Sequence, residues 1–201
     1  VLGKAAPRKL KTTEKIIAIG ASTGGTEAIK EVIAGMPADS PGIVITQHIP
    51  AAFSGPLALR MDRCCAMTGY EASDGQQILP GHVYIAPGDQ HLIVERSGAR
   101  YICRLNDGPA VNRHRPSVNV MFRSVAQNVG ANAIGVMLTG MGDDGAEAMK
   151  EMHDNGAHTI AQDEKTSGVW GMPGEAVKHG GVDEIVPLHN ITNKLITLMS
   201  N

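Results

Sequence analysis

Aromatic side chains are scarce: the 201 residues include one Trp, three Tyr and two Phe, 3% in all. A buried core must therefore be aliphatic and alanine-rich, and no rings interleave with basic residues in the manner that stacks nucleobases. Neither sign of charge dominates, since 18 Lys and Arg face 20 Asp and Glu for a net charge of −2. Nothing in that balance calls for nucleic acid as a partner. No apolar run approaches the ~20 residues that cross a membrane, and no signal peptide precedes the first apolar segment, so a cytoplasmic protein without membrane insertion is expected.

Metal-ligand spacing is also missing. The eight histidines include no His-x-x-x-His pair and no His-Glu-x-x-His, and the three cysteines lack zinc spacing, so neither metal nor other cofactor is expected. Cys64 and Cys65 are adjacent and would close a strained ring, which leaves them, with Cys103, as free thiols of a reducing compartment.

What is present is alternation. From Lys15 onward short apolar runs alternate with amphipathic stretches, the pattern of an α/β layer fold, and the length suits one domain. Buried strands are expected at 16–19, 42–47, 133–139, near 158–161 and at 184–186. Helices are expected after Gly25, over Ser54–Cys65, from Pro116, over Ala146–Asn155, near Pro173–His179 and from Ile191. Between Thr68 and Leu105 the segments 83–87, 91–95 and 100–104 are short, β-branched or aromatic, and separated by Gly-Asp and Ser-Gly turns. They predict an antiparallel meander inserted into a mostly parallel, doubly wound three-layer sheet with helices on both faces. Residues 1–14 are basic, polar and without periodicity and suggest a linker remnant, so residues 15–201 form the domain and the chain is expected to be a piece of a longer protein.

The chemistry gathers where apolar strands end. Gly20-Ala21-Ser22-Thr23-Gly24 follows the first strand and opens a helix, the pattern of a nucleophile elbow. A dinucleotide fingerprint competes, but it needs glycine where Ser22 stands, and no Gly-Lys-Ser/Thr follows to make a phosphate loop. A serine that only caps its helix is the plainer alternative. His48 directly follows the second strand, and Asp143-Asp144 lies in the turn after the strand at 133–139. In an open parallel sheet those ends share one edge, where ligands bind. A serine, a histidine and a carboxylate on one edge form a hydrolase set, because the hydroxyl needs a base and the base needs an orienting acid. Taken singly, His48 could merely hydrogen-bond a carbonyl, and either aspartate could cap the following helix. Spacing alone does not choose between Asp143 and Asp144. Arg113, His114 and Arg115 form a basic cluster before a helix, either a solvated helix-entry turn or a binding surface, and Gly168–Pro173 reads as a loop bordering the site, with a core plug as the plainer alternative for the single tryptophan, Trp170.

Gly20-Ala21-Ser22-Thr23-Gly24-Gly25, Thr46-Gln47-His48, Arg113-His114-Arg115-Pro116-Ser117-Val118, Leu138–Gly145 and Gly171-Met172-Pro173, in this order over nearly the whole chain, resemble the catalytic domain of the chemotaxis receptor protein-glutamate methylesterases, the CheB family. The resemblance implies a serine hydrolase that demethylates glutamate γ-methyl esters on the cytoplasmic helices of chemotaxis receptors, releases methanol and deamidates receptor glutamines. It implies Ser22, His48 and Asp144 as the triad, and it alone selects Asp144. Thr23, the residue after the nucleophile, is the first candidate oxyanion donor, and Met141 is a candidate second or supporting contact. Arg113 and Arg115 are candidates for receiving an acidic receptor surface. A receiver domain that covers the site is expected in the full-length protein and has no counterpart in this sequence. The rival expectation is a nucleotide-binding or non-catalytic receptor-docking module, which nucleotide affinity or receptor binding without turnover would reveal.

Overall fold

The computed structural model describes residues 15–200; the stretch 1–14, expected to be linker, lies outside them. Nine strands are described: β1 (Ile16–Ala21), β2 (Gly42–Gln47), β3 (Thr68–Glu71), β4 (His82–Ile85), β5 (His91–Ser97), β6 (Arg100–Asn106), β7 (Ala133–Met137), β8 (His158–Gln162) and β9 (Glu184–Val186). The helices are α1 (Gly25–Ala34), α2 (Ala51–Cys64), α3 (Val118–Asn128), α4 (Ala146–Asp154), α5 (Gly171–Lys178) and α6 (Leu188–Met199).

Seven strands form one sheet in the order β3-β4-β2-β1-β7-β8-β9, and every pairing in it is parallel. Strand β1 is central because both its faces are apolar. Ile17, Ile19 and Ala21 enter one core with α1, α2 and α6, whereas Ile16 and Ala18 enter the other with α3, α4 and α5. A two-residue side-chain period with apolar groups in both phases can only be buried between two helical layers. The near lack of rings is made good by methionine: Met36, Met61, Met67, Met121, Met137, Met149, Met152 and Met172 are all buried, and their flexible thioethers fill irregular gaps.

The doubly wound three-layer fold agrees with the sequence reading, and the antiparallel insertion is narrower than expected. Only β5 and β6 pair antiparallel, extended by one bridge from Gln77 to Ile102. Val83–Ile85 instead joins the parallel sheet as β4, between β2 and the edge strand β3. Short β-branched segments look alike in sequence whichever direction they pair, and β3 went unpredicted because its Thr-Gly-Tyr-Glu stretch is largely exposed and carries no apolar run.

Two glycines decide how closely α3 approaches the strand ends. A Cβ on Gly20 would lie 2.4 Å from Val118 Cγ1, and one on Gly145 would lie 2.6 Å from the same atom. Gly145 also has φ +95°, which side-chain-bearing residues rarely adopt. Without Cβ atoms at these positions, the N-terminus of α3 rests directly against the end of β1 and the turn after β7.

Candidate active site

The sheet order reverses at β1: chain order runs to β2 on one side and to β7 on the other. Ligands bind in the crevice that such a reversal opens at the strands' carboxyl ends. Ser22, His48 and Asp144 all follow strands meeting there. β1 and β2 pair Ala21 with Gln47, so Ser22 and His48 are the next positions in register, and the His48 amide donates to the Ala21 carbonyl at 3.2 Å.

The turn that carries Ser22 is tied on several sides. The Ser22 amide donates to the Thr139 carbonyl at 3.0 Å, and the Ser22 carbonyl accepts from the Gly25 amide at 2.7 Å. Buried Gln47 donates through Nε2 to the carbonyls of both Ser22 (2.8 Å) and His48 (3.3 Å), linking the two segments. Gly24 has φ +79° and forms the N-cap of α1 without any side-chain cap. A Cβ on Gly25 would meet Gln47 Oε1 at 2.1 Å. That glycine thus serves the packing of α1 on β2, and the Ser22 side chain does not cap the helix.

His48 Nε2 lies 2.7 Å from Asp144 Oδ2, with the two side chains 8% and 1% exposed. The Asp144 carboxylate accepts four further hydrogen bonds: from Ser117 Oγ (2.7 Å), Asn112 Nδ2 (3.1 Å) and the amides of Val118 (2.7 Å) and Asn119 (3.2 Å). Burial is the largest influence on this carboxyl and pushes its pKa up. The hydrogen bonds from His48, Asn112, Ser117 and Val118 together outweigh it, so the group is held below its ordinary value. Asp144 is therefore an acceptor only, and His48 Nε2 must carry the proton between them. In the neutral imidazole the lone pair then falls on Nδ1. That atom is buried and has no hydrogen-bond partner among the described residues.

The structure separates the two aspartates. Asp143 is exposed and Asp144 buried. Neither caps α4 through its side chain; Asp144 reaches instead to the first amides of α3. Thr23 is exposed, and its amide donates to no group among the described residues. Met141 is 64% exposed at the rim, beside Gly142 at φ +93°. Gly140 backs the serine: a Cβ there would fall 2.9 Å from Ser22 Cβ and 2.4 Å from Met172 Sδ.

Arg115 and Arg113 part company. The Arg115 guanidinium is engaged by Asp89 (2.7 Å) and by the carbonyls of Asp107 and Gly108 (3.1 and 3.2 Å), which makes it a clamp between loops. Arg113 is exposed in a left-handed conformation, φ 70°. Trp170 is half-buried, donates Nε1–H to the Gln162 carbonyl at 2.7 Å and pairs with Gly140, so its segment is pinned beside the turn that follows β7. Among the described residues no three His, Cys, Asp or Glu side chains converge as a metal site.

The same chain was compared with known proteins. A profile of the family described as CheB methylesterase matches residues 17–195. The chain belongs to the CheB methylesterase family. The protein-glutamate methylesterase/protein-glutamine glutaminase of Hydrogenovibrio crunogenus is 60% identical over 200 residues, 99% of this chain and 53% of that protein. The corresponding protein 1 of Geobacter metallireducens is 57% identical over 188 residues, 94% of this chain and 52% of that one. This chain thus spans about half the length of the curated CheB relatives it matches. The crystal structure of the Thermotoga maritima CheB methylesterase catalytic domain superposes with TM-score 0.89 at 37% identity, covering 92% of this chain and 98% of that one.

Asn112, Ser117 and His114 are the neighbours that sequence reasoning did not assign to the site. Ser117 and His114 were quoted within a motif, but their contacts to Asp144 and His48 span 27 and 66 positions of chain, and nothing in local spacing signals them.

Proposed function

We propose that this chain is a protein-glutamate methylesterase and glutamine deamidase domain acting on chemotaxis receptors, with Ser22 as nucleophile, His48 as general base and Asp144 as the orienting acid. The observation that carries the reading is the polarity of His48: one ring nitrogen is committed to the Asp144 carboxylate, and the other is buried and unpartnered one register step from Ser22.

In this mechanism Nδ1 of His48 takes the proton as Ser22 Oγ attacks the γ-ester carbonyl, and Asp144 stabilises the imidazolium through Nε2–H. The unpartnered Thr23 amide, at the start of the turn into α1, serves as the oxyanion donor, with Met141 as a second or supporting contact. One such donor is worth roughly 3 kcal/mol at the transition state. Nδ1–H then protonates departing methanol, or ammonia from an amide. Water, deprotonated by the same nitrogen, releases the glutamate and regenerates Ser22. The exposed Thr23 and Met141 make the site shallow, which suits a side chain presented on the surface of a receptor helix. No helix of the described residues is long and apolar enough to cross a membrane.

The test is methanol release from methyl-esterified receptor membranes by the purified chain, beside folded Ser22→Ala. Loss of release in the variant is expected; equal release by both would overturn the assignment.

A further inference from the structure

His114 lies flat on His48. The ring centroids are 3.5 Å apart and the planes diverge by 6°, the closest ring contact among the described residues. The loop that delivers it is built tightly. Val111 and His114 exchange both backbone hydrogen bonds (3.0 and 2.9 Å) around Asn112 and Arg113, whose φ values are 52° and 70°. Two consecutive left-handed residues closing a two-residue hairpin match a type I′ turn, which glycine would favour and arginine does not. The same turn aims Asn112 Nδ2 at Asp144, so it touches the acid and the base together.

A ring held by one hydrogen bond can still pivot about it. The His48 ring has that single bond, to Asp144, while its other nitrogen has no partner. A flat neighbour at van der Waals distance removes the pivot. It also presents a π-face to the positive charge that His48 acquires during catalysis, and such a face attracts a cation.

We propose that His114 is a positioning residue of the methylesterase, holding the plane of the His48 ring and stabilising its imidazolium form through the face of its own imidazole. The inference rests on the Ser22-His48-Asp144 reading above. Its consistency with charge is direct. Burial, followed by the nearby His48, lowers the pKa of His114 and outweighs the opposing pull of Asp144 and Asp143, while Arg113 adds to the lowering. His114 is thus neutral when His48 becomes charged. Its ring nitrogens hold no hydrogen bond among the described residues, so the contact it offers is its face.

Methanol release by the full chain, measured for wild type, His114→Ala, His114→Phe and Ser22→Ala after thermal unfolding has shown each to be folded, separates the possibilities. His114→Ala is expected to lower kcat roughly tenfold with KM within about twofold, the size of a partly desolvated cation–π contact. His114→Phe, which keeps a face and loses both nitrogens, is expected to recover most of that kcat. If His114→Ala does not fold, His114→Gln, which keeps bulk without an aromatic face, takes its place. Wild-type kcat in the variant lacking a face would overturn the inference, as would a phenylalanine variant no better than alanine. Ser22→Ala distinguishes the two levels: activity surviving there sinks the triad itself, whereas an inactive Ser22→Ala beside a fully active His114→Ala sinks only the role of His114.

Discussion

Asp144 caps the helix that begins at Val118, 26 residues upstream, and not the helix that follows it: its Oδ2 accepts the Val118 amide at 2.7 Å and the proton of His48 Nε2 at the same distance. A single oxygen thus satisfies a helix terminus and orients an imidazole. Helix N-termini favour negative charge, so α3 helps to keep the orienting acid ionised.

Asp144→Asn should therefore cost more than a lost charge. The amide either presents NH2 to groups that already donate or lets His48 take the other tautomer, with Nδ1 protonated and unable to accept from Ser22. By analogy with serine hydrolases the expected fall in kcat is ~10⁴-fold. His48→Gln and Ser22→Ala should lie at or below that level, and double variants should add little. Methanol release by the singles and doubles is the measurement.

Acid stability follows the same carboxylate. Its folded-state pKa lies below the ordinary aspartate value, so the folded chain takes up this proton at lower pH than the unfolded chain does. The resulting stabilisation is fully present above the ordinary value, ~3.9, and is lost as pH falls through the folded value. Tm should show no Asp144-linked decline from pH 7 to about 4 and a decline below it. Asp144→Asn should be less stable at neutral pH and should lose that part of the acid slope. Calorimetry of both proteins from pH 7 to 2 checks the sign.

Gly140→Ala should act on Ser22 from behind. Its added methyl would overlap Met172 Sδ at 2.4 Å and Ser22 Cβ at 2.9 Å. Overpacking of this kind costs ~1–3 kcal/mol, and the displacement of Ser22 should appear as a larger fall in kcat than in substrate affinity. Denaturant unfolding and steady-state kinetics on one preparation separate the two effects.

The two arginines should behave differently. Arg115→Ala removes a clamp to Asp89 and to two loop carbonyls, and should lower stability by ~1 kcal/mol, a partly exposed network, leaving the salt dependence of KM as it was. Arg113→Ala should leave stability nearly unchanged and weaken the salt dependence of KM, if an acidic receptor face docks there. Kinetics between 50 and 500 mM salt, beside unfolding curves, test the pair.

Cys103 is buried in the β5–β6 layer and its thiol is pushed up to about 12 by burial. Alkylating reagents should leave it unmodified in the folded chain at pH 8 and modify it after denaturation, since only the thiolate reacts. Peptide mass mapping before and after urea provides the readout.

The strand, turn and helix addresses of Ser22, His48 and the acidic pair were legible because each follows an apolar run, and a parallel sheet brings such ends to one edge. The division of labour between Asp143 and Asp144 was not. It depends on the left-handed Gly142 and Gly145, which turn one carboxylate outward and the other under α3. Arg115 was offered as a substrate contact, and its commitment to Asp89 is invisible in a run of three basic residues. The stack of His114 on His48 depends on a hairpin whose arginine adopts a conformation that composition does not favour. Strand β4 looked like part of a meander because direction of pairing is set by the connection from β3 through residues 72–81, which returns the chain parallel, and not by the residues of the strand.

His48 and Asp144 stand 96 positions apart, and β1 cannot gain its second neighbour until β7 has been made. At ~5–20 residues per second of synthesis, His48 leaves the ribosome roughly 5–20 s before Asp144. A nascent chain ending at β6 already displays serine and histidine, yet its histidine has nothing to set its tautomer. The last-made half of the sheet thus supplies the carboxylate that fixes the ring of a histidine carried by the first-made half.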